Sequence, residues 1–223
     1  EESIDLLKQS DIVVTNPPFS LFREYLKQLV DQDKKFLIIG SMNATKYANI
    51  FPLIKENKIW LGTKSMGVDM LFDIPKEYAD FLVREKKEGS AYRIVDGVVK
   101  GRTQAVWFTN LDHGRRHQPL PLMREAEINK FTKKKSFERY DNYDAIEVPS
   151  VKHIPSDHKG MMGVPISFLD KYNPDQFEIV GLGQGNLYRE LTPKGLNKEF
   201  VNNYYQNGGT GSISEDHPIL GYY

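Results

Sequence analysis

Residues Asp11 to Ser20 read DIVVTNPPFS. Ile12, Val13, Val14 and Thr15 predict a buried strand, and Asn16-Pro17-Pro18-Phe19 stops it abruptly. Pro17 forces Asn16 out of the α region, and Pro18 does the same to Pro17. Neither proline has an N–H with which to continue a ladder. The expected product is a stiff, extended loop at the carboxyl edge of a sheet, where open α/β sheets place their ligands.

Working outward, Leu21, Phe22, Tyr25, Leu26, Leu29 and Val30 recur at helical spacing, so 21–31 predicts a helix with Ser20 as its N-cap. Phe36 to Gly40 is a short continuous apolar run, the pattern of a buried parallel strand. Residues 48–57 predict a second helix with Pro52 in its first turn, and Ile59 to Leu61 a short strand. Strand, helix, strand, helix, strand is the parallel part of a doubly wound sheet. The pattern then changes. Residues 68–74 and 105–109 have strand character, and 91–99 reads as a hairpin around Asp96-Gly97. Beyond Leu111, short strands and loops punctuated by prolines dominate, and residues 202–223 are rich in Asn, Gly and Ser, which predicts loose order. No internal repeat is visible.

The proline-locked loop has a distinctive chemistry. The Asn16 side-chain oxygen and the Pro17 carbonyl both accept hydrogen bonds. Held side by side, they can grip the two hydrogens of an exocyclic –NH2, while Phe19 offers a flat face for a planar ring. Two acceptors favour the change of that nitrogen from planar toward tetrahedral, which frees its lone pair to attack. No basic residue is required.

Strand, Asn, two prolines, aromatic and following helix together resemble the signature of amino-methyltransferases that use S-adenosylmethionine (SAM). AVWFTNL (105–111), RYDNYDAIEV (139–148) and GVPISFLDKYNPDQFEIVG (163–181) extend the likeness. They resemble the EcoRI-type adenine-specific DNA methyltransferase family from about Asp11 to Gly185. The tetrapeptide alone would also admit a protein amide or an RNA base as acceptor. The resemblance implies methylation of adenine N6 in duplex DNA, in a restriction-modification setting. Asn16, Pro17 and Phe19 would act on the flipped base, and Pro18 would complete its pocket. It also implies a Rossmann-like α/β fold ending in an antiparallel hairpin, with Val106 to Thr109 as its final strand. Residues 1–111 would form a partial catalytic core, and 112–223 a C-terminal extension with a possible DNA-recognition role. Enzymes of this kind cradle SAM with a glycine-rich loop that precedes the Asn-Pro-Pro-Phe motif. Ten residues without glycine precede Asp11, and the first is Glu1 rather than Met. The expectation is therefore a fragment that lacks most of the SAM pocket and needs a complementing N-terminal segment or subunit. A non-catalytic DNA-binding subunit is the alternative from another class.

Composition bounds these readings. In 223 residues, a 39% hydrophobic share and twelve Phe and twelve Tyr suffice for a core. The formal net charge is zero, so no bulk attraction to nucleic acid is present. Charge is uneven, however. His113 to Arg139 holds eight Lys/Arg against three Glu. Arg115, Arg116, Lys133, Lys134 and Lys135 are the candidate phosphate contacts, with an ordinary solvated surface as the rival reading. There is no cysteine, which excludes disulfides and thiolate metal sites and suits a reducing cytoplasm. No apolar run is long enough to span a membrane. His153, Asp157 and His158 match no metal-ligand spacing. Gly181-Leu182-Gly183-Gln184-Gly185 reads chiefly as a structural turn, with a loop near the target base or a cofactor loop as alternatives.

Overall fold

A computed structural model describes residues 2–132, 136–191, 193–208, 213–214 and 216. The chain divides into two compact units at His113/Gly114.

In the first unit the elements run α1 (Glu2–Gln9), β1 (Ile12–Thr15), α2 (Phe22–Asp31), β2 (Lys35–Ser41), α3 (Phe51–Lys55), β3 (Trp60–Leu61), β4 (Met70–Phe72), α4 (Lys76–Arg84), β5 (Tyr92–Val95), β6 (Val98–Thr103) and β7 (Ala105–Thr109). Four strands form a sheet in the order β1-β2-β7-β3. β1 and β2 are parallel, while β7 lies antiparallel to both β2 and β3. The fold is thus mixed α/β. The antiparallel strand expected at 106–109 is present, last of the four in chain order, and lies between β2 and β3. Its hairpin with β3 is opened by residues 62–104, which build a second sheet in the order β4-β6-β5.

Two sequence expectations are corrected here. β1 is not buried: Ile12 is 51% and Val14 63% exposed. It is an edge strand, and among the described residues no strand pairs with its outer side. Ser20 is not an N-cap either. The Leu21 N–H donates to the Pro18 carbonyl at 2.9 Å, so 19–21 wind into a 3-10 turn and α2 starts only at Phe22, with Leu21 in the cap position. Tertiary context decides the first, and a local backbone bond decides the second. α1 was not anticipated. The Lys34 ammonium holds its end by donating to the Lys8 and Ser10 carbonyls, each at 3.0 Å.

The core of this unit follows from the helical spacing of α2. Phe22, Leu26 and Leu29 lie buried with Phe36, Ile38, Val106 and Phe108. Phe22 and Phe108 meet with ring centroids 5.0 Å apart. Gly40 makes that contact possible, because a β-carbon there would strike the Phe22 ring and lie 2.9 Å from Phe108 Cε2. Gly40→Ala therefore overpacks the junction of β2 and α2. The expected loss is about 1–3 kcal/mol, read as a lower midpoint in urea unfolding at unchanged slope. An unaltered midpoint would mean that the Phe22 ring moves aside freely.

AVWFTNL closes the sheet. The Thr109 hydroxyl donates to the Phe36 carbonyl at 2.6 Å. The Asn110 amide accepts from Phe36 N–H at 2.9 Å and donates to the Lys34 carbonyl at 2.8 Å, extending the ladder by one side chain. In the second sheet, Asp96 and Gly97 both have positive φ (51° and 77°), as a two-residue hairpin turn between right-twisting strands requires. Asp69 fastens that sheet by pairing with Arg102 Nε at 2.5 Å and Arg93 Nε at 3.3 Å. The Arg102 guanidinium beside it is the main reason its carboxyl sits below the usual range.

The second unit comprises α5 (Glu125–Phe131), β8 (Ala145–Glu147), β9 (Met161–Gly163) and α6 (Lys198–Gln206), joined by long loops and 3-10 turns. β8 and β9 are parallel. Ile146, Val148, Val151, Ile154, Phe168 and Tyr172 form its core. The Gln176 side chain brackets Leu120, accepting from its N–H at 2.7 Å and donating to its carbonyl at 2.9 Å. The Tyr140 hydroxyl donates to Glu147, whose carboxyl is nevertheless pushed up, chiefly by burial. Much of RYDNYDAIEV and GVPISFLDKYNPDQFEIVG thus serves packing. Gly181 lies against Leu191 and Gly185 has φ +71°, both structural uses of the glycine cluster. No helix among the described residues is long and apolar enough to cross a membrane.

Candidate active site

The carboxyl ends of β1 and β2 point to one edge of the four-stranded sheet, because the two strands are parallel with Thr15 opposite Ile38. Asn16 is the next residue after that pair. Its side chain is exposed, Pro17 is buried, and Pro18 and Phe19 are exposed, Phe19 by 45%. Pro17 pins the loop and leaves the residues on either side turned to solvent. Pro18 is extended, with φ −54° and ψ 128°. Among the described residues no hydrogen bond engages the Asn16 side chain or the Pro17 carbonyl, whereas the Pro18 carbonyl is used by Leu21. Two acceptors and an exposed ring therefore stand on a stiff turn. Three residues later the buried Phe22 fixes that turn to the sheet beneath it.

Other groups share this edge. β2 leads into a 3-10 turn, Met42–Lys46, capped by the Ser41 hydroxyl accepting from Asn43 N–H at 3.3 Å. Tyr47 follows, and the Arg23 guanidinium from the first turn of α2 lies 5.8 Å from its ring centroid. After β3, Lys64 donates to the Val68 carbonyl and lies 3.4 Å from that of Ala105. Burial lowers its pKa, partly opposed by Asp69. Sequence reading found none of Arg23, Tyr47 and Lys64. Arg23 carries a signal, one helical turn beyond Phe19, but Tyr47 meets it only through tertiary structure.

The basic candidates fall elsewhere. Arg115 and Arg116 are half-buried in a 3-10 turn, Gly114–His117, of the second unit. Arg115 Nη2 lies 3.6 Å from the buried carboxylate of Asp170. Lys133, Lys134 and Lys135 lie outside the described residues. Among the described residues no group of His, Cys, Asp and Glu could hold a metal. Asp157 instead accepts from Glu125 N–H at 2.9 Å.

The carboxyl edge of a mixed α/β sheet thus presents Asn-Pro-Pro-Phe. The chain belongs to the family described as adenine-specific methyltransferase EcoRI, which matches residues 1–218. It is 49% identical over 195 residues to the type II methyltransferase M.EcoRI of Escherichia coli, a match covering 87% of this chain and 57% of that protein. It is also 40% identical over 186 residues to M.MgeORF184P of Mycoplasma genitalium and 40% over 183 residues to M.MpnI of Mycoplasma pneumoniae, both type II methyltransferases, each matched over 54% of its length. The chain thus spans about half the length of these relatives. No solved structure matches.

Proposed function

We propose that this chain carries the amine-holding part of an enzyme that methylates N6 of adenine in duplex DNA, the modification activity of a type II restriction-modification system. The observation that carries this reading is the loop at the end of β1, with the Asn16 side chain and Pro17 carbonyl unengaged among the described residues and Phe19 exposed. Family membership supports adenine as the acceptor, and the relatives' names support the type II setting.

The target amine is closed inside a base pair, so the nucleotide must leave the stack. Phe19 receives the extruded ring. Asn16 and the Pro17 carbonyl then take the two N6 hydrogens and hold the lone pair out of the ring plane. SAM, when bound, would supply the electrophilic methyl for that lone pair, with the methyl–sulfur bonding electrons leaving on sulfur. The surplus N6 proton passes to water. Much of the acceleration comes from positioning and from fixed dipoles aimed at the amine.

The order β1-β2-β7-β3, with one antiparallel strand among three of common direction, supports the Rossmann-like methyltransferase fold. The open side of β1 is where we place the glycine-rich SAM-binding segment, supplied by the rest of the enzyme or by a complementing subunit. Residues 1–111 are then the partial catalytic core and 112–223 the extension that meets DNA. The deciding assay follows labelled methyl from SAM into DNA, RNA and protein, using the full-length enzyme. Label confined to DNA N6-methyladenine is the expected result, and label in RNA or protein instead would overturn the reading.

Within 112–223, Arg116, Lys133, Lys134, Lys135 and Arg115 are proposed to contact backbone phosphates, and the Asp170 carboxylate lies 3.6 Å from Arg115. Neutralising the first four should weaken specific and random duplex alike. It should also flatten the plot of log affinity against log salt by roughly 0.9 per lost contact. Arg115→Ala should act mainly on stability, by about 1–3 kcal/mol, since it leaves a buried carboxylate without that partner. An unchanged salt slope in the fourfold variant would return the stretch to ordinary solvated surface.

A further inference from the structure

Most of the side-chain cations in the first unit that pair with carboxylates are spent on local structure. Lys8 pairs with Asp5, Lys27 with Asp31, Lys58 with Glu56, and Arg93 and Arg102 with Asp69. Arg23 and Lys46 differ. Both are exposed and, like Lys76, Arg84 and Lys86 of the same unit, pair with no carboxylate among the described residues. Both also stand at the edge of the sheet that holds Asn16 and Phe19.

Arg23 is held in place without being neutralised. Its backbone follows Phe22, which is buried against Gly40 and Phe108. Its guanidinium lies over the Tyr47 ring at 5.8 Å. Tyr47 is itself fixed on both sides: its N–H donates to the Ala44 carbonyl at 3.1 Å, and its carbonyl accepts from Ile50 and Phe51 at 2.9 Å. A guanidinium at that distance over a ring keeps N–H groups available for an anion. The guanidinium fork matches a phosphate in two-point geometry. A nucleotide whose base reaches Phe19 must bring its sugar-phosphate to the rim of the same loop.

We propose that Arg23, seated on Tyr47 with Lys46 beside it, grips the phosphodiester flanking the flipped adenine and so holds the extruded nucleotide. This rests on the base-flipping reading given above. The contact belongs to the flipped state, so it acts on cognate duplex and not on random duplex.

The test uses the full-length enzyme and duplexes in which single phosphates flanking the target adenine are replaced by neutral methylphosphonates. For the wild type, one such replacement should weaken binding about tenfold or more, as expected for a hydrogen bond to a charged group. Arg23→Ala should lose as much on ordinary cognate duplex and nothing further on the neutral one. Its salt slope on cognate duplex should flatten by roughly 0.9, with random duplex unaffected. Tyr47→Leu should give part of the same loss by unseating the guanidinium, and Arg23→Lys should not restore the wild-type affinity. Additive losses from Arg23→Ala and every neutral linkage, or an unchanged slope, would overturn the proposal. Failure of the parent reading is separately visible, because Asn16→Ala would then leave methylation intact.

Discussion

Asn16→Ala in the full-length enzyme should lower the rate of methyl transfer at least a hundredfold while duplex affinity changes by no more than a few fold. The side chain is exposed and takes part in no hydrogen bond among the described residues, so its removal strips nothing from the fold. Its acceptor acts on the amine as the nitrogen becomes tetrahedral, and one preorganised contact of this kind is worth on the order of 10²–10³ in rate. Single-turnover methylation measured beside equilibrium DNA binding separates the two effects. Asn16→Asp keeps the acceptor geometry but adds a charge, and should recover only part of the rate. Near-normal turnover in the alanine variant would remove Asn16 from the amine.

Phe19→Ala should weaken capture of the extruded base by roughly 1–3 kcal/mol, the range of base–aromatic stacking. Phe19 is 45% exposed and lies in the 3-10 turn that precedes α2, so truncation costs the core little. A fluorescent adenine analogue at the target position reports stacking directly. Its signal should fall with Phe19→Ala and persist with Phe19→Tyr or Phe19→Trp, because the face of the ring does the holding. An unchanged signal in the alanine variant would place the base elsewhere.

What could be read in the sequence depended on how local the cause was. Pro17 and Pro18 fix their own backbone, so the end of β1 was legible. Asp96-Gly97 was equally so, since a two-residue turn needs residues that tolerate positive φ. The periodicity of Leu26 and Leu29 announced the buried face of α2. Ser20 misled, because the Pro18 carbonyl captures Leu21 N–H before any side chain can cap. The place of β7 between β2 and β3 was not legible, since the pairing of Trp60 with Thr109 spans residues of unrelated local character. β1 misled for a related reason. Ile12 to Thr15 has the composition of a strand covered on both faces, and composition carries no record of which elements stand beside it. At the site, Asn16 and Phe19 were found from a contiguous motif. Arg23 and Tyr47 were missed because only the parallel pairing of β1 and β2 brings their loops to one edge.

The uncovered side of β1 has a consequence for handling this polypeptide. Its outer N–H and C=O groups are open to a strand from another molecule, and Ile12 and Val14 offer such a strand apolar surface. Proteins usually blunt such an edge with lysine, proline or a bulge. Here β1 itself holds neither lysine nor proline, and the prolines follow it, at the end where chemistry is proposed. Prepared by itself at high concentration, residues 1–223 should self-associate along this seam, and a lysine at position 14 is the substitution that would oppose it.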